Sequence, residues 1–287
     1  TEPYGKSKND YQIFAGIAHL MNAESDFTES RSEQEWQRKI YDETREKSAT
    51  LGVEIPEYEQ FLEDGWFKVD PPKEPIVMLQ DFRADPVKNS LSTPSGKIEL
   101  FSKTVASFDY DDCPGHPAWI EPYEWLGSEE KRWPLHLISN QPKTKLHSQI
   151  DHGSQSKASK VQGREPVHIH PKNASERNIK DGDIILIFND RGACLGGVVL
   201  DPALRPGVIQ MSTGAWYDPL DPAKPNSLCK HGNANVLTRD KGTSKLGQGP
   251  SAHSCLVEIE LYKSALPPVT AHEPPDIERI KLSNDDT

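Results

Sequence analysis

The sequence predicts a mixed chain, a helical first part followed by a small closed β-barrel. Three observations carry this. Apolar residues recur at three- and four-residue spacing near the start, in Tyr11, Phe14, Ile17, Ala18 and Met21. From Pro134 onward the pattern changes to six short β-branched or alternating segments, PLHLIS, PVHIH, DIILIF, ACLGGVVL, GVIQMS and CLVEIEL. A single short helix interrupts those strands, which favours a barrel over a doubly wound sheet.

The helical part reads as follows. Residues 8–22 form a helix with Asp10 as N-cap, and a second helix runs from about Arg31 to Ala49, with Ser30 and Glu33 as a capping box. Trp36, Ile40 and Tyr41 give that second helix a narrow apolar stripe. A short helix follows Pro56, near Tyr58 to Leu62. Each has one apolar face and no sheet of its own to lie on, so the segment reads as the tail of a larger α/β domain. Pro71 to Pro75 punctuate the chain, and Thr93-Pro-Ser-Gly sets a turn before KIELF. A connector rich in Pro, Trp and Glu, Cys113 to Trp133, reads as a linker or wrapping loop. Beyond it, Pro171 opens the one short helix, Lys172 to Arg177, which stops at Asn178. Asp181-Gly182-Asp183 and Arg205-Pro206-Gly207 are turns using Gly where positive φ is cheap.

Composition narrows the function. The chain has 287 residues, enough for two domains, and only 34% are hydrophobic. Mean hydropathy is −0.70. Proline supplies 24 residues, so the chain is rich in loops. A net charge of −11 argues against a nucleic-acid partner. No apolar run is long enough to span a membrane. Four cysteines, Cys113, Cys194, Cys229 and Cys255, include no C-x-x-C pair, which excludes zinc and redox-motif readings. The opening TEPYGKSKND has no initiator Met, signal or tag, and reads as though it begins inside a larger protein.

The densest chemistry is NQPKTKLHSQ, Asn140 to Gln149, between PLHLIS and a polar, Gly-containing loop from Asp151 to Ser159. Amides, lysines, a histidine and hydroxyls crowd a run in which only Leu146 serves a core. Such a loop at the end of a buried strand is either a solvated connection or a clamp on a polar, anionic ligand. His168 and His170 share a strand face, but no third ligand has metal-site spacing, so they read as structural. Asn189-Asp190-Arg191-Gly192 reads as a hairpin turn. Trp216, Tyr217 and Asp218 either plug the barrel or wall a ligand funnel. Asn173-Ala174-Ser175 fits a glycosylation pattern without further support. Glu129-Glu130 and Asp111-Asp112 read as solvated faces.

The order of these pieces resembles the dimethyl sulfoxide reductase family of molybdenum oxidoreductases. TPSGKIELFS, WPLHLISNQPKTKLHSQ, HPKNASERNIKDGDIILIFNDRGACLGGVVLDPALRPGVIQMSTGAWYDP and LCKHGNANVLTRDKGTSKLGQGPSAHSCLVEIELY occur in the family's order. The LHSQ, FNDRG, WYDP and DKGTSKLGQG runs look most like reductases of trimethylamine N-oxide, dimethyl sulfoxide and biotin sulfoxide. The resemblance covers nearly the whole chain, most strongly residues 93–262.

The resemblance implies a double-psi β-barrel over residues 134–287, a connector over 111–133, and the C-terminal part of an α/β domain over 1–110. It implies the cofactor molybdenum bis(molybdopterin guanine dinucleotide), contacted by Asn140, Gln141, Pro142, Lys145, His147, Ser148, Gln149, Asn235, Ala252 and His253. Lys145 stands where relatives commonly carry Arg, so a planar bidentate contact to pyrophosphate becomes a point charge. Relatives often carry Gly-Gln at Ala252-His253. No catalytic or metal-ligating side chain is expected here. The family's metal ligand, typically Ser in this branch, would lie before Thr1, and residues 1–287 alone would be inactive. The implied reaction is oxygen-atom removal from an N-oxide or S-oxide with two-electron reduction. Implied partners are the rest of the polypeptide or a catalytic chain carrying the metal ligand, the oxide substrate, and a donor such as a c-type cytochrome. The implied location is the periplasm, or the cytoplasm for the biotin sulfoxide branch. Two alternatives stand beside this: a non-catalytic β-barrel binding or assembly subunit, and a nitrate, formate or selenate type of molybdopterin enzyme.

Overall fold

The computed structural model describes residues 4–70, 74–75 and 77–274. Of the Pro71–Pro75 punctuation, Pro71, Pro72 and Lys73 lie outside the described residues, as does the tail of the expected barrel domain beyond residue 274. The chain divides into two compact units, Thr1–Lys97 and Ile98–Thr287. Residues 98–133 therefore belong to the barrel's unit.

The first unit contains α1 (Asp10–Leu20), α2 (Glu24–Thr28), α3 (Glu33–Thr50), α4 (Tyr58–Asp64) and α5 (Gln80–Ala84). The caps differ from the sequence reading by one or two residues. Asn9, not Asp10, caps α1: its side chain accepts from the Gln12 amide at 2.9 Å while Gln12 reaches back to the Asn9 amide at 3.3 Å. Ser32 and Glu35, not Ser30 and Glu33, form the capping box of α3. Ser30 is held at a φ of 56°, outside the extended backbone an N-cap needs. Among the described residues of this unit, Ala18 and Ile55 are its buried hydrophobics, whereas Phe14, Ile17, Ile40 and Leu62 stay exposed. The single apolar faces remain uncovered by any strand among the described residues.

In the second unit, α6 (Lys103–Ala106) precedes the barrel, followed by β1 (Leu135–Ile138), α7 (Ser154–Ser159), β2 (Pro166–Ile169), α8 (Pro171–Ser175), β3 (Ile184–Phe188), β4 (Ala193–Leu200), β5 (Val208–Met211) and β6 (Leu256–Leu261). All six strands fall where alternation placed them. Pro171 sits in the first turn of α8, and Asn178 has a φ of 55° where the sequence expects the helix to stop. Gly182 and Gly207 take φ of 80° and 87°, as their turns require. Four short helices escaped the reading: α2, α5, α6 and, inside the Asp151–Ser159 stretch expected to be loop, α7. Its polar sequence, SQSKAS, carries no apolar period to reveal it.

The strands close in the order β1-β5-β2-β4-β3-β6, with β6 returning to β1. The pairs β1–β5 and β2–β4 are parallel and the rest antiparallel. This closed six-stranded barrel agrees with the expected architecture. Its interior is filled by alternate residues, including Leu135, Leu137, Val167, Ile169, Ile185, Ile187, Ile209 and Met211, each at most 1% exposed. Full burial of one such side chain contributes roughly 1.5–3 kcal/mol. The strand registers bring the C-terminal ends of β1, β3 and β5 and the N-terminal ends of β2, β4 and β6 to one rim.

Ile187→Ala should cost the barrel about 2–5 kcal/mol in denaturant unfolding, whereas Ile40→Ala on the exposed stripe of α3 should change stability by at most about 0.5 kcal/mol. Equal losses would refute this division between core and open face.

Candidate cofactor-binding face

The polar run Asn140–Gln149 leaves β1 at that shared rim and is tied down at every few residues. The Asn140 carbonyl accepts from the Thr213 amide at 2.9 Å, and its side-chain oxygen accepts from Gln210. Gln141 Nε2 and His147 Nδ1 lie 3.2 Å apart. A tight turn closes the run, with the Gln149 amide donating to the Leu146 carbonyl at 2.9 Å and positive φ at His147 and Ile150. The segment after β5 backs this turn. A Cβ on Gly214 would lie 1.7 Å from the His147 carbonyl oxygen, so only Gly permits the approach. Beside it the Trp216 indole donates to the Ser148 carbonyl at 2.7 Å.

Below the loop lies a cluster that composition did not reveal. Lys145 Nζ is 2.9 and 2.8 Å from the two Glu165 oxygens and 3.3 Å from Asp151 Oδ1. Lys160 Nζ is 3.0 Å from Asp151 Oδ1 and 2.9 Å from Glu165 Oε2. The four side chains are only 0–4% exposed. Ser156 of α7 donates to Asp151 at 3.1 Å, and the Trp216 amide and His272 Nε2 each lie 3.1 Å from Asp151 Oδ2. His231 Nδ1 sits 3.0 Å from the Trp216 carbonyl, and its buried Nε2 has no hydrogen-bond partner. Burial alone would raise the Asp151 carboxyl, but His272, Lys160 and the Trp216 amide hold it well below the ordinary carboxylate range. Burial, then the Lys160 charge, pushes His231 down to about 4.

Asp151, His231 and His272 place potential ligand atoms within 4.8 Å of one another. Two lysines already balance the two carboxylates there, so the group serves as a hydrogen-bonded network and leaves no net negative charge for a cation.

The remaining sequence-predicted residues fall on the same rim. Asn235 is exposed in a 3-10 turn, Ala234–Val236, beside the β3–β4 hairpin. Ala252 and His253 lie just before β6, where the His253 carbonyl is 2.6 Å from His136 Nε2 of β1. Asn140, Gln141, His147, Ser148 and Gln149 are exposed, Pro142 is half-buried, and Lys145 is turned inward. A cavity of about 500 Å³ opens beside Asn235, lined also by Arg191, Tyr217, Asn233, Thr238 and Asp240. Tyr217 thus walls a cavity at the rim, and Asp218 faces away to pair with Lys230 at 3.1 Å.

Other expectations resolve structurally. His170 caps α8, its Nδ1 accepting from the Lys172 amide at 3.1 Å, and His168 stands 3.6 Å from Asp201. The Asn173 side chain is buried and accepts from the Gly207 amide at 2.8 Å. Asp111, Glu129 and Glu130 are exposed, as the solvated-face reading expects, and Asp111 and Asp112 also hold the Lys245 ammonium at 2.9 Å and the Lys245 amide at 3.1 Å at the surface. The connector is indeed a wrapping loop. Its Glu124 pairs with Arg191 and Arg239 and accepts from the Leu256 amide at 2.8 Å.

A pH dependence follows from His231. Its folded pKa of about 4 lies below the ordinary value, so between about pH 6.5 and 4 the unfolded chain takes a proton that the native one refuses. Acidification through that window should cost up to about 1.4 kcal/mol per pH unit. Unfolding titrations of His231→Gln should show that slope flattened, and an unchanged slope would contradict it.

Residues 135–256 match the family described as "Molydopterin dinucleotide binding domain". The chain is 40% identical over 280 residues to a dimethyl sulfoxide/trimethylamine N-oxide reductase of Cereibacter sphaeroides, covering 96% of this chain and 34% of the relative. It is 43% identical to a trimethylamine-N-oxide reductase of Salmonella typhi (95% and 32% covered) and 41% identical to trimethylamine-N-oxide reductase 1 of Escherichia coli K12 (93% and 32%). It thus spans about a third of the length of these relatives. The solved structure of acetylene hydratase from Pelobacter acetylenicus shares the fold, with a TM-score of 0.64 at 19% identity, over 91% of this chain and 34% of that one. Five of the six barrel strands thus lie within the stretch that matches the molydopterin dinucleotide binding domain family, in a chain similar over nearly its whole length to part of the dimethyl sulfoxide and trimethylamine N-oxide reductases.

Proposed function

We propose that this chain is the dinucleotide-binding portion of a molybdenum-dependent reductase of N-oxides or S-oxides, holding molybdenum bis(molybdopterin guanine dinucleotide). The observation that carries it is the gathering of Asn140–Gln149, Asn235, Ala252 and His253 on one barrel rim, in a chain about 40% identical to such reductases. The groups at that rim suit the ligand. Guanine and pterin edges alternate donors and acceptors, which amide side chains match in both directions. The cavity at Asn235 offers a further amide, a hydroxyl and a carboxylate from Asn233, Thr238 and Asp240.

In this reading Asn140, Gln141, Pro142, His147, Ser148 and Gln149 line one stretch of the dinucleotide, and Asn235, Ala252 and His253 another. The cofactor, when bound, supplies the two-electron chemistry that removes an oxygen atom from the substrate. The chain's own residues orient it and exclude water from its buried side. The side chain that ligates the metal belongs to the two thirds of the relatives' length that this chain does not span. The electron donor is a small redox protein such as a c-type cytochrome, and the location is the periplasm. None of the helices among the described residues is long and apolar enough to cross a membrane.

Metal and nucleotide analysis of the full protein, purified from a host that makes the cofactor, tests this. Molybdenum should accompany about two guanine nucleotides per metal, as a bis(dinucleotide) cofactor requires. Residues 1–287 alone should reduce no N-oxide with an artificial donor. A full protein free of molybdenum would favour a non-catalytic assembly role, and turnover by residues 1–287 would refute the division of labour.

A further inference from the structure

Lys145 is the residue of the polar run that simple charge chemistry would send to a pyrophosphate. The fold sends it elsewhere. Its side chain is 1% exposed, and its ammonium reaches both oxygens of Glu165 and one of Asp151. Lys160 faces the same two carboxylates from the other side. Two positive and two negative groups therefore cancel within one buried cluster, and no surplus positive charge is left for an anion. Removing the ammonium from Glu165 to serve a phosphate would leave two buried carboxylates, Glu165 and Asp151, to share the Lys160 ammonium, an uncompensated buried charge that is strongly unfavourable.

The same contacts give Lys145 another task. Glu165 immediately precedes β2, and its backbone is held on both sides: its amide donates to the His231 carbonyl at 3.0 Å, while its carbonyl accepts from the Gly197 amide of β4 at 3.0 Å. Asp151 is fixed by Ser156, Trp216 and His272. A rigid barrel edge thus grips the middle of the run from beneath, while Asn140 and the Leu146–Gln149 turn are held at its ends.

We propose that Lys145, with Glu165 as its anchor, is a positioning residue that sets the height and curvature of the Asn140–Gln149 run, and that the anion is met there by neutral donors and backbone amides. This deepens the cofactor-binding reading above and rests on it for the identity of the ligand. Its test separates the two. In the full protein, hydrogen exchange reports the loop whether or not cofactor is present, and guanine nucleotide content reports the ligand.

The informative variants are Lys145→Met, Glu165→Met and the double variant, which leaves Lys160 paired with Asp151. Either single variant should speed exchange in residues 141–149 by about tenfold or more, as expected for loss of a charge-assisted hydrogen bond, with strands β3 and β6 unchanged. Either should also lower guanine nucleotide content. The double variant is charge-balanced and should regain both the protection and the nucleotide, and it guards against single variants that fail to fold. A counter-charge role predicts opposite signs: Glu165→Met would free the ammonium and raise nucleotide retention, and the double variant would recover protection without recovering nucleotide. Either of those results, or unchanged exchange in both single variants, overturns the proposal.

Discussion

Four charges buried at the edge of the barrel hold the candidate site together. Lys145, Lys160, Asp151 and Glu165 lie within 3.3 Å of one another in opposite-sign pairs, with side chains at most 4% exposed. Each ion out of water costs several kcal/mol, so the cluster is tolerable only because each charge meets partners of opposite sign. That interdependence makes it a fixed point. It joins the polar loop after β1, helix α7, the residue leading into β2, the segment after β5 and, through His272, the chain beyond β6. Loosening any one partner strands the others.

A loop of exposed amides gains specificity only if its backbone is held still. The barrel provides that hold through pieces distant in sequence. Gly214 lets the segment after β5 come against the His147 carbonyl, and the Trp216 indole fastens Ser148. Glu124 fastens the connector to the start of β6 and to Arg191 of the β3–β4 hairpin. The rim therefore has rigid backing and soft polar tips, an arrangement suited to a long ligand with many hydrogen-bonding edges. The helical unit is different in kind. Its apolar stripes, at Phe14, Ile17 and Ile40, are exposed among the described residues.

Much of the barrel was legible in the sequence. LHLI, PVHI and IILIF announce strands because alternate residues enter a core, and Gly182 and Gly207 announce their turns. The polar run Asn140–Gln149 was legible too, because its donor density is unusual after a buried strand. The cluster beneath it was not. Asp151, Lys160, Glu165, His231 and His272 are scattered over more than a hundred residues, and each alone looks like a solvated polar residue. Their meeting is a product of the strand order, which no local pattern encodes. Lys145 shows the same limit, since its residue type suggests a phosphate contact and its burial gives it a carboxylate. Helix α7 went unseen because its polar sequence has no apolar period.

The most direct measurement is the structure of the full protein with its cofactor bound, read at Lys145. The account requires the dinucleotide to lie along the exposed side of Asn140–Gln149 while Lys145 Nζ keeps its contacts of 2.9 and 2.8 Å with Glu165. A Lys145 ammonium withdrawn from Glu165 onto a phosphate oxygen, or a dinucleotide seated away from this rim, would contradict it.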